Sequence, residues 1–576
     1  MHFSLTLGRL FAQALIFSSV LSLADSAAIK SDGHGKGSDK GNSNGGHFVP
    51  FDPLEATIDS IHAAVYGQTA TCRQIVEAYI ARIVEYNPQI NAILTLNPNA
   101  LTISDSLDMA LANGDSIAKA PLFCVPMFVK DNYDTFDMPT TAGVLALAGA
   151  QPPSDAPTIA ALRKAGAVIM GKTNLQELAL EGLCVSSLGG QTYNPYDLTR
   201  TPGGSSGGTG ASVAASLACL GTGTDTVNSI RSPASSNSLV GIRATQGLIS
   251  RSGIVPVSWS QDIAGPLART VRDAAIGLSV MASVGYDPAD NRTAIGEGHR
   301  YKDYTKFITG TALKKQPRIG VLDIMFSNAT DPEIQAVNTV MNEAIAKIAA
   351  AGAEIVHISD PFYNVSALSA AYDVQRFEFR QLMDAYLSAP GEKTPVPDLA
   401  ALVATGKWFL APTQKTWFQQ VFNYSTWSPG YDVGVAGAYN NVTIHLMDLF
   451  ASQNLTALIY PEQNRLVVQV GSPGQSGRNG ELAGVAGVPV VVIPAGFSSP
   501  NTTAPVGVPV GMEILGMPFT EGPLIDLADS IESVLKARKI PSLFNHQVPA
   551  KHLDSVPVIT PNNTLPYPYH LGPYTN

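Results

Sequence analysis

The sequence predicts an α/β fold in which a twisted, mixed β-sheet forms the core and helices cover both of its faces. Of the 576 residues, 45% are hydrophobic and only 14% are charged, which is enough apolar material for a large buried core. Short runs rich in β-branched residues and bounded by Gly or Pro, at 125–129, 168–170 and 488–493, are typical of buried strands. Strands that alternate with helices are typical of this fold class.

The helical and strand patterns follow one another along the chain. Residues 56–66 and 72–86 carry apolar residues at helical spacing, and 331–351 is a longer helix of the same kind. The run 354–358 predicts the strand after that helix. Residues 365–460 then predict a mostly helical region that bears aromatic residues.

The N-terminus has the three parts of a secretory signal peptide. Arg9 precedes an apolar run at 10–23, and small residues follow at 24–28. A membrane anchor would need roughly 20 apolar residues. We therefore predict a signal peptide over 1–27, a secreted protein, and no stable membrane span once the signal is removed.

Amino-acid composition predicts the boundaries of the linker, the main domain and the C-terminal tail. Residues 28–49 are rich in Gly, Ser, Lys and Asp and predict a flexible Gly/Ser-rich linker, because they cannot bury apolar surface. A single large domain is expected over 50–540. The tail at 541–576 is Pro-rich and is expected to wrap the surface.

Charge and cysteine content exclude several classes of partner. The net charge is −10, and no dense block of Lys and Arg is available to neutralise phosphates, so nucleic acid is not an expected partner. The cysteines are too few and too scattered for a zinc site, and no metal is predicted. One or two disulfides and four buried thiols both remain open for Cys72, Cys124, Cys184 and Cys219.

Sequons for N-glycosylation agree with a secreted route. None lies between Lys130 and Arg269. N-glycans are therefore expected to stay away from the candidate site, at Asn291, Asn328, Asn364, Asn423, Asn441, Asn454, Asn501 and Asn562.

Two short motifs in the first half fit known patterns but lack the context that those patterns need. Residues 166–173 match a phosphate-binding loop, yet the intervening Ala-Val-Ile-Met predicts a buried strand. A hydrolase nucleophile elbow could centre on Ser205 or Ser206, but it would need an apolar strand before it. The segment follows the polar turn 199–202 instead, and no downstream His has a distinguishing context.

A longer set of motifs is spread over most of residues 55–535. The motifs are 121–126 with Lys130 and Asp131, 140–143, 203–208, 223–226, 229–231 with 233–234, 247–250, Asp262 with 265–266, 487–489 with 494–497, and 507–511. Together they resemble the amidase signature family of serine hydrolases, and in particular its secreted, fungal-type members.

The resemblance implies a single large amidase-signature-type domain that works without a cofactor. It also implies a Ser-Ser-Lys triad, in which Ser229 is the nucleophile that forms an acyl ester and Lys130 is the base. Ser205 would bridge them and, as in the family, follow an unusual cis peptide. A free lysine has a pKa of about 10.4, so Lys130 would have to be buried to act as a base. The alternative is a surface lysine paired with Asp131.

The family's oxyanion-binding amides would fall on Thr226, Val227, Asn228 and Ser229. Most members carry two glycines where this chain has Val227 and Asn228, and a β-branched residue disfavours a left-handed backbone. Three readings stay open: bulkier residues hold the same amides, the substrate pocket is altered, or the enzyme is weakened.

Three further residues have a supporting rather than a catalytic interpretation. Asp225 and Arg231 flank the proposed nucleophile, and a buried ion pair between them would brace its loop. Ser206 either adds a hydrogen bond to the network or only packs against it.

The predicted function is therefore a secreted amidase that cleaves a small-molecule carboxamide, anilide or ester. The alternatives are a catalytically weakened binding or structural protein and, less favoured by the signal peptide and acidic charge, one subunit of an amidotransferase. A homodimer is left open.

An aromatic cluster in the helical region could line an acyl pocket or form part of the core. It comprises Trp408, Phe409, Trp417, Phe418, Phe422 and Trp427.

Overall fold

An eleven-stranded mixed sheet flanked by helices forms the body of the protein in a computed structural model that describes residues 51–391 and 393–572. The predicted α/β fold class is confirmed. The predicted signal peptide 1–27 and linker 28–49 lie outside the described residues and stay predictions, as do the boundaries of the domain and tail.

The strands are numbered in chain order. They are β1 (Ile93–Leu96), β2 (Pro126–Lys130), β3 (Val168–Thr173), β4 (Val185–Ser186), β5 (Gly190–Gln191), β6 (Leu220–Asp225), β7 (Val240–Arg243), β8 (Ile263–Ala268), β9 (Arg318–Leu322), β10 (Glu354–Ile358), β11 (Ala457–Pro461), β12 (Val490–Phe497) and β13 (Pro509–Leu515). The large sheet has the order β1-β3-β2-β6-β8-β7-β12-β13-β11-β9-β10, and β4 and β5 form a separate hairpin.

The α-helices of the described residues are also numbered in chain order. They are α1 (Ile58–Tyr66), α2 (Cys72–Ile90), α3 (Ala100–Asn113), α4 (Pro157–Lys164), α5 (Gly207–Ala214), α6 (Arg231–Ser236), α7 (Val271–Ala282), α8 (Pro332–Ala350), α9 (Val365–Tyr372), α10 (Gln375–Leu387), α11 (Leu399–Ala404), α12 (Lys415–Gln420), α13 (Tyr431–Gly437), α14 (Ile444–Ser452), α15 (Glu481–Ala486) and α16 (Glu521–Leu535).

Both faces of the sheet are buried, as the alternation of side chains along β12 illustrates. Val491 and Ile493 belong to one hydrophobic cluster, whereas Val490 and Val492 belong to another. Successive side chains of a strand point to opposite faces, so the two clusters lie on opposite sides of the sheet. This explains why the central strands are continuous apolar runs rather than alternating ones.

The register of three central strands positions the candidate site. Strand β2 is parallel to both β3 and β6, and β6 is antiparallel to β8. Because parallel strands end at the same edge of a sheet, Lys130 at the end of β2 lies beside the end of β6.

The motif that matches a phosphate-binding loop is a buried strand, as its apolar residues predicted. Gly171, Lys172 and Thr173 are the last residues of β3 and are fully buried or nearly so. The Lys172 ammonium forms an ion pair with Asp131 at 3.2 Å. Asp131 is therefore the partner of Lys172, and the alternative of a surface Lys130 paired with Asp131 is wrong.

The cysteines divide into one disulfide and two thiols. Cys72, the first residue of α2, is bonded to Cys124, which lies just before β2. Cys184 and Cys219 are free and buried. Of the arrangements that the sequence left open, the structure has one disulfide.

The aromatic cluster of the helical region does not act as one unit. Trp408 and Phe418 are core residues with stacked rings, and Trp417 is half-buried. Trp427 is 90% exposed and belongs to no core cluster. Within the described part of the chain, no helix has both the length and the apolar content needed to cross a bilayer.

Candidate active site

Lys130 and Ser205 are in direct contact inside the protein. The Lys130 Nζ donates a hydrogen bond of 2.7 Å to the Ser205 Oγ and one of 2.6 Å to the Thr224 Oγ1. The side chains of Lys130 and Ser205 are completely buried. Thr224 is in reach because β6 lies next to β2. The lysine thus has two hydroxyl acceptors and no carboxylate in contact with it among the described residues.

This environment makes the neutral amine of Lys130 accessible at ordinary pH. Burial lowers the pKa of Lys130 to about 7, because desolvation disfavours the ammonium. The more distant charges of Asp225 and Asp262 oppose the shift but do not cancel it. A lysine with this pKa can accept a proton as a general base.

The glycine-rich segment that contains Ser205 is held tightly between neighbouring elements. The peptide between Gly204 and Ser205 is cis. The Ser205 carbonyl accepts a hydrogen bond of 3.0 Å from the Gln176 amide. A Cβ at Gly208 would lie 2.2 Å from the Asn174 carbonyl oxygen, so this position requires glycine for close approach.

Ser229 lies near the end of the loop between β6 and α6 and is 7% exposed. Its backbone carbonyl accepts hydrogen bonds from the Ser206 Oγ at 2.6 Å and from the Ser206 amide at 3.2 Å. Of the two interpretations of Ser206 that the sequence left open, the structure has the hydrogen bond, which holds the backbone of Ser229. The Ser229 hydroxyl itself makes no hydrogen bond to any residue that the structure describes, so its link to Ser205 stays a prediction.

The backbone amides of Thr226, Val227, Asn228 and Ser229 are unpaired. None of these four N–H groups donates a hydrogen bond to another described residue. Buried amides without a partner are rare in proteins, because each costs the free energy of a lost hydrogen bond. A run of four is therefore a ready site for a negatively charged oxygen.

The carbonyl groups of this loop are held from the protein side. The Val227 carbonyl accepts a hydrogen bond from the Arg231 guanidinium, and the Asn228 carbonyl accepts one of 2.7 Å from the Ser232 amide. The Ser229 carbonyl is held by Ser206. Fixing the carbonyl of each peptide also fixes the direction of the next N–H group, since the peptide is planar.

Val227 and Asn228 fit without the left-handed backbone that glycine would allow. Neither is among the non-glycine residues with positive φ. Instead, the element that faces them lacks side chains: a Cβ at Gly480 would lie 2.4 Å from the Asn228 Cβ, and one at Gly484 would lie 3.3 Å from the Val227 Cα. The glycines that permit close packing are therefore on the segment around α15.

A buried ion network supports the loop from below. The Asp225 carboxylate contacts the guanidinium of Arg231 at 3.1 Å and that of Arg243 at 2.5 Å, and Arg231 also contacts Glu513 at 2.8 Å. Burial by itself would raise the pKa of Asp225, but the two arginines outweigh it and hold that pKa far below its usual range. The Asp225–Arg231 pair that the sequence suggested is part of this larger network.

The side chain of Asn228 has a buried acidic partner outside this network. Its Nδ2 donates a hydrogen bond of 2.9 Å to the Glu462 Oε1. Burial, together with the negative charge of Glu513, raises the pKa of Glu462 to about 8. This contact gives a physical reason for asparagine at that position.

Cavities on two sides of the loop could receive a substrate. One, of about 200 Å³, is bordered by Thr224, Thr226 and a largely apolar wall around 254–257. The other, of about 550 Å³, is bordered by Val227 and Trp417. Thr226 is held at the first of them by its hydrogen bond to Asp262 at 2.6 Å.

Several residues of this site were missed by reasoning from the sequence. Thr224 lies inside a motif that the sequence singled out, and its contact with Lys130 follows once β2 and β6 are known to be neighbours. Glu462, Glu513 and Arg243 carry no local pattern that sets them apart. Only tertiary packing brings them to the loop.

Comparisons with known proteins agree on one family. Residues 74–426 match the family model described as Amidase. A probable amidase of Arabidopsis thaliana is 34% identical over 508 residues, which cover 86% of this chain and 93% of that relative. One subunit of the glutamyl-tRNA(Gln) amidotransferase of Bdellovibrio bacteriovorus is 36% identical over 331 residues, covering 56% of this chain and 65% of that protein.

A solved structure is similar over nearly its whole length. The native peptide amidase from Stenotrophomonas maltophilia matches with a TM-score of 0.74 and 32% sequence identity. The match covers 84% of this chain and 98% of that one.

We predict that Asp225→Asn destabilises the protein strongly. The substitution would leave Arg231 and Arg243 as buried charges without their shared partner, which costs about 3–5 kcal/mol. Asp59→Asn is the matched control, because Asp59 pairs with Arg272 on the surface at 2.7 Å and such pairs contribute at most about 1 kcal/mol. Denaturant unfolding measures both free energies, and equal losses in the two variants would contradict the assigned role of the network.

Proposed function

The chain belongs to the amidase family, which makes it a hydrolase of amide C–N bonds, and from this premise we propose that it works through an acyl-enzyme on Ser229. Ser205 relays the proton and Lys130 is the base. The observation that carries the proposal is the buried contact of 2.7 Å between the Lys130 Nζ and the Ser205 Oγ, beside a loop of four unpaired amides.

Acylation begins when neutral Lys130 takes the proton of Ser205, which in turn takes that of Ser229. The Ser229 Oγ then forms a bond to the carbonyl carbon, and the carbonyl oxygen becomes an oxyanion. The amides of the loop from Thr226 to Ser229 stabilise that charge. When the C–N bond breaks, the departing nitrogen receives the proton back from Lys130 through Ser205, and an acyl ester remains on Ser229.

Deacylation repeats the same steps with water as the nucleophile. Water loses its proton through Ser205 to Lys130, attacks the ester and releases the acid, and the proton returns to Ser229. The mechanism requires the hydroxyls of Ser229 and Ser205 to meet. Catalytic hydrogen bonds often form only once substrate is bound. An ester with the same acyl group would enter the mechanism at the same point, so we include esters among the substrates.

Two features favour an active enzyme over a weakened relative that only binds. The unpaired amides keep their orientation even though Val227 and Asn228 replace glycines, because Arg231 and Ser232 hold the carbonyls between them. The pKa of Lys130, about 7, also suits a general base. Burying a lysine in this way lowers the stability of the fold, and such perturbed groups are concentrated at functional sites.

We propose that the protein is secreted and glycosylated, in the manner of a fungal-type secreted amidase. The charged, apolar and small-residue parts of the N-terminal sequence support export. All eight sequon asparagines are exposed, which glycosylation requires: Asn291, Asn328, Asn364, Asn423, Asn441, Asn454, Asn501 and Asn562.

Labelling with a fluorophosphonate tests the nucleophile directly. We expect one covalent adduct on Ser229 in the folded protein, found by mass spectrometry of its peptides. Ser229→Ala should lose the adduct and at least about a thousandfold in kcat/KM. Lys130→Ala and Ser205→Ala should each lose about 10²–10⁴-fold, since each removes a proton-transfer step.

The control for these variants is Ser212→Ala, which removes a buried hydroxyl of α5 that donates a hydrogen bond to the Thr209 carbonyl. It should retain the adduct and near wild-type activity. No adduct on Ser229, or an adduct on Ser205 alone, would reject the assignment and favour the weakened, non-catalytic alternative. An active isolated chain would also separate this protein from an amidotransferase component that acts with partners.

The pH dependence tests the base. Lys130 must be neutral to accept a proton and is protonated below its pKa of about 7, so kcat/KM should rise about tenfold per pH unit up to that point and then level off. Lys130→Arg should remain inactive at every pH, because a guanidinium stays charged. Glu462→Gln removes a buried carboxyl near the loop whose pKa, about 8, lies close to this range, and it should leave the inflection in place. A flat profile from pH 5 to 9 would contradict a lysine base.

Export is tested by expressing the full chain in a eukaryotic secretory host. We expect protein in the medium whose N-terminus begins after the predicted signal 1–27 and whose mass falls on treatment with an N-glycosidase. A variant without residues 1–27 should stay in the cells and keep its mass. An unprocessed, intracellular wild-type chain would overturn the proposal.

A further inference from the structure

The larger cavity beside Val227 has an acidic wall that the proposed mechanism does not use. Three helices and their flanks form it: Asp373 follows α9, Trp417 belongs to α12, and Glu481 is the first residue of α15. Its volume is about 550 Å³. Because Val227 borders the cavity and its amide is one of the four unpaired ones, an occupant would lie next to a bound acyl group.

Glu481 lacks a partner for one of its carboxylate oxygens. The residue is only 5% exposed, and its Oε1 is buried without a hydrogen bond among the described residues. A buried acceptor of this kind destabilises the protein unless something donates to it. Such a group calls for a partner that the protein does not itself supply, and its place on a cavity wall makes a bound ligand able to supply one.

The neighbours of Glu481 do not neutralise it. Burial, followed by the negative charge of Asp373, raises the pKa of Glu481 to about 8, and Arg478 opposes this shift without cancelling it. Arg478 also borders the cavity, but its guanidinium is paired with Glu181 at 3.2 Å. A positive charge in the cavity would relieve the repulsion between Glu481 and Asp373 and would favour the ionised form of both.

The other residues that border the cavity also suit a positively charged group. Trp417 is half-buried and borders the cavity, and an aromatic ring attracts an adjacent cation through its π-face. Asp373 accepts hydrogen bonds of 3.0 Å from Gln375 and keeps lone pairs available for a further donor. Two carboxyl groups and an indole ring together match the three donors and the charge of a primary ammonium.

We infer that this cavity is a subsite for a protonated primary amine carried by the acyl part of the substrate, with Glu481 as its main acceptor. The inference rests on the proposed function, because it is the acyl group on Ser229 that would direct the amine past Val227. It narrows the substrate class to amides of amine-bearing acids.

Matched substrate pairs test the subsite. Each pair consists of an ω-aminoalkanamide and the neutral alkanamide in which a methyl group replaces the ammonium, over a series of chain lengths. We expect kcat/KM for the amine to exceed that of its neutral partner by at least about tenfold at the chain length that reaches Glu481. Glu481→Gln should reduce this preference by about tenfold, since it removes the charge and keeps the shape.

A second variant and a control make the result specific. Asp373→Asn should also reduce the preference for the amine-bearing substrate. It therefore tests the subsite independently if Glu481→Gln folds poorly. Glu532→Gln is the control, because Glu532 is another largely buried carboxyl with a raised pKa, about 7, but it lies outside the cavity and accepts from the Val271 amide. It should keep the wild-type preference.

The failures of the two proposals are distinguishable. If both members of every pair are hydrolysed at similar rates, and Glu481→Gln does not alter their ratio, the subsite is rejected while the amidase mechanism stands. If neither member is hydrolysed and the fluorophosphonate leaves Ser229 unlabelled, the proposed function fails and the subsite fails with it.

Discussion

The candidate site depends on the ion network around Asp225. This carboxylate ends β6, accepts a hydrogen bond of 2.9 Å from the Ile230 amide, and contacts Arg231 and Arg243. Arg231 in turn holds the Val227 carbonyl and reaches Glu513 on β13. One buried cluster therefore fixes both ends of the loop that carries the unpaired amides. Buried charges are costly to remove from water, and here each is offset by its partners, so the loop is held in one conformation.

Two buried lysines at the ends of neighbouring strands, Lys130 of β2 and Lys172 of β3, have different hydrogen-bond partners. The partners determine whether each lysine is charged or can accept a proton. Burial lowers the pKa of both Lys130 and Lys172. Lys172 has an ion pair with Asp131 and accepting oxygens around it, including the carbonyls of Tyr133 and Pro139. Among the residues that the structure describes, the Lys130 Nζ has two hydroxyl acceptors, those of Ser205 and Thr224. A charged lysine is therefore stabilised at one position, and a neutral, proton-accepting lysine is accessible at the other.

Val227 and Asn228 fit in place of glycines because the segment packed against them, around α15, carries glycines of its own. Gly480 and Gly484 leave room for Val227 and Asn228, and the Glu462 carboxyl accepts a hydrogen bond from the side-chain Nδ2 of Asn228. The loop keeps an ordinary backbone conformation, and its N–H groups stay unpaired. The side chain of Val227 then forms part of a cavity wall, so this substitution bears on the choice of substrate as well as on the loop.

The sequence by itself determined the fold class, the strands around Lys130 and Lys172, and the motifs that point to Lys130, Ser205 and Ser229, because these depend on local periodicity and on short, characteristic spacings. It also favoured a buried strand over a phosphate loop at 166–173. Tertiary structure alone decided that Asp131 pairs with Lys172, that Cys72 bonds to Cys124, and that Glu462 and Glu481 approach the loop. Those contacts join residues far apart in the chain, and their energies depend on burial and on neighbouring charges that no local pattern encodes.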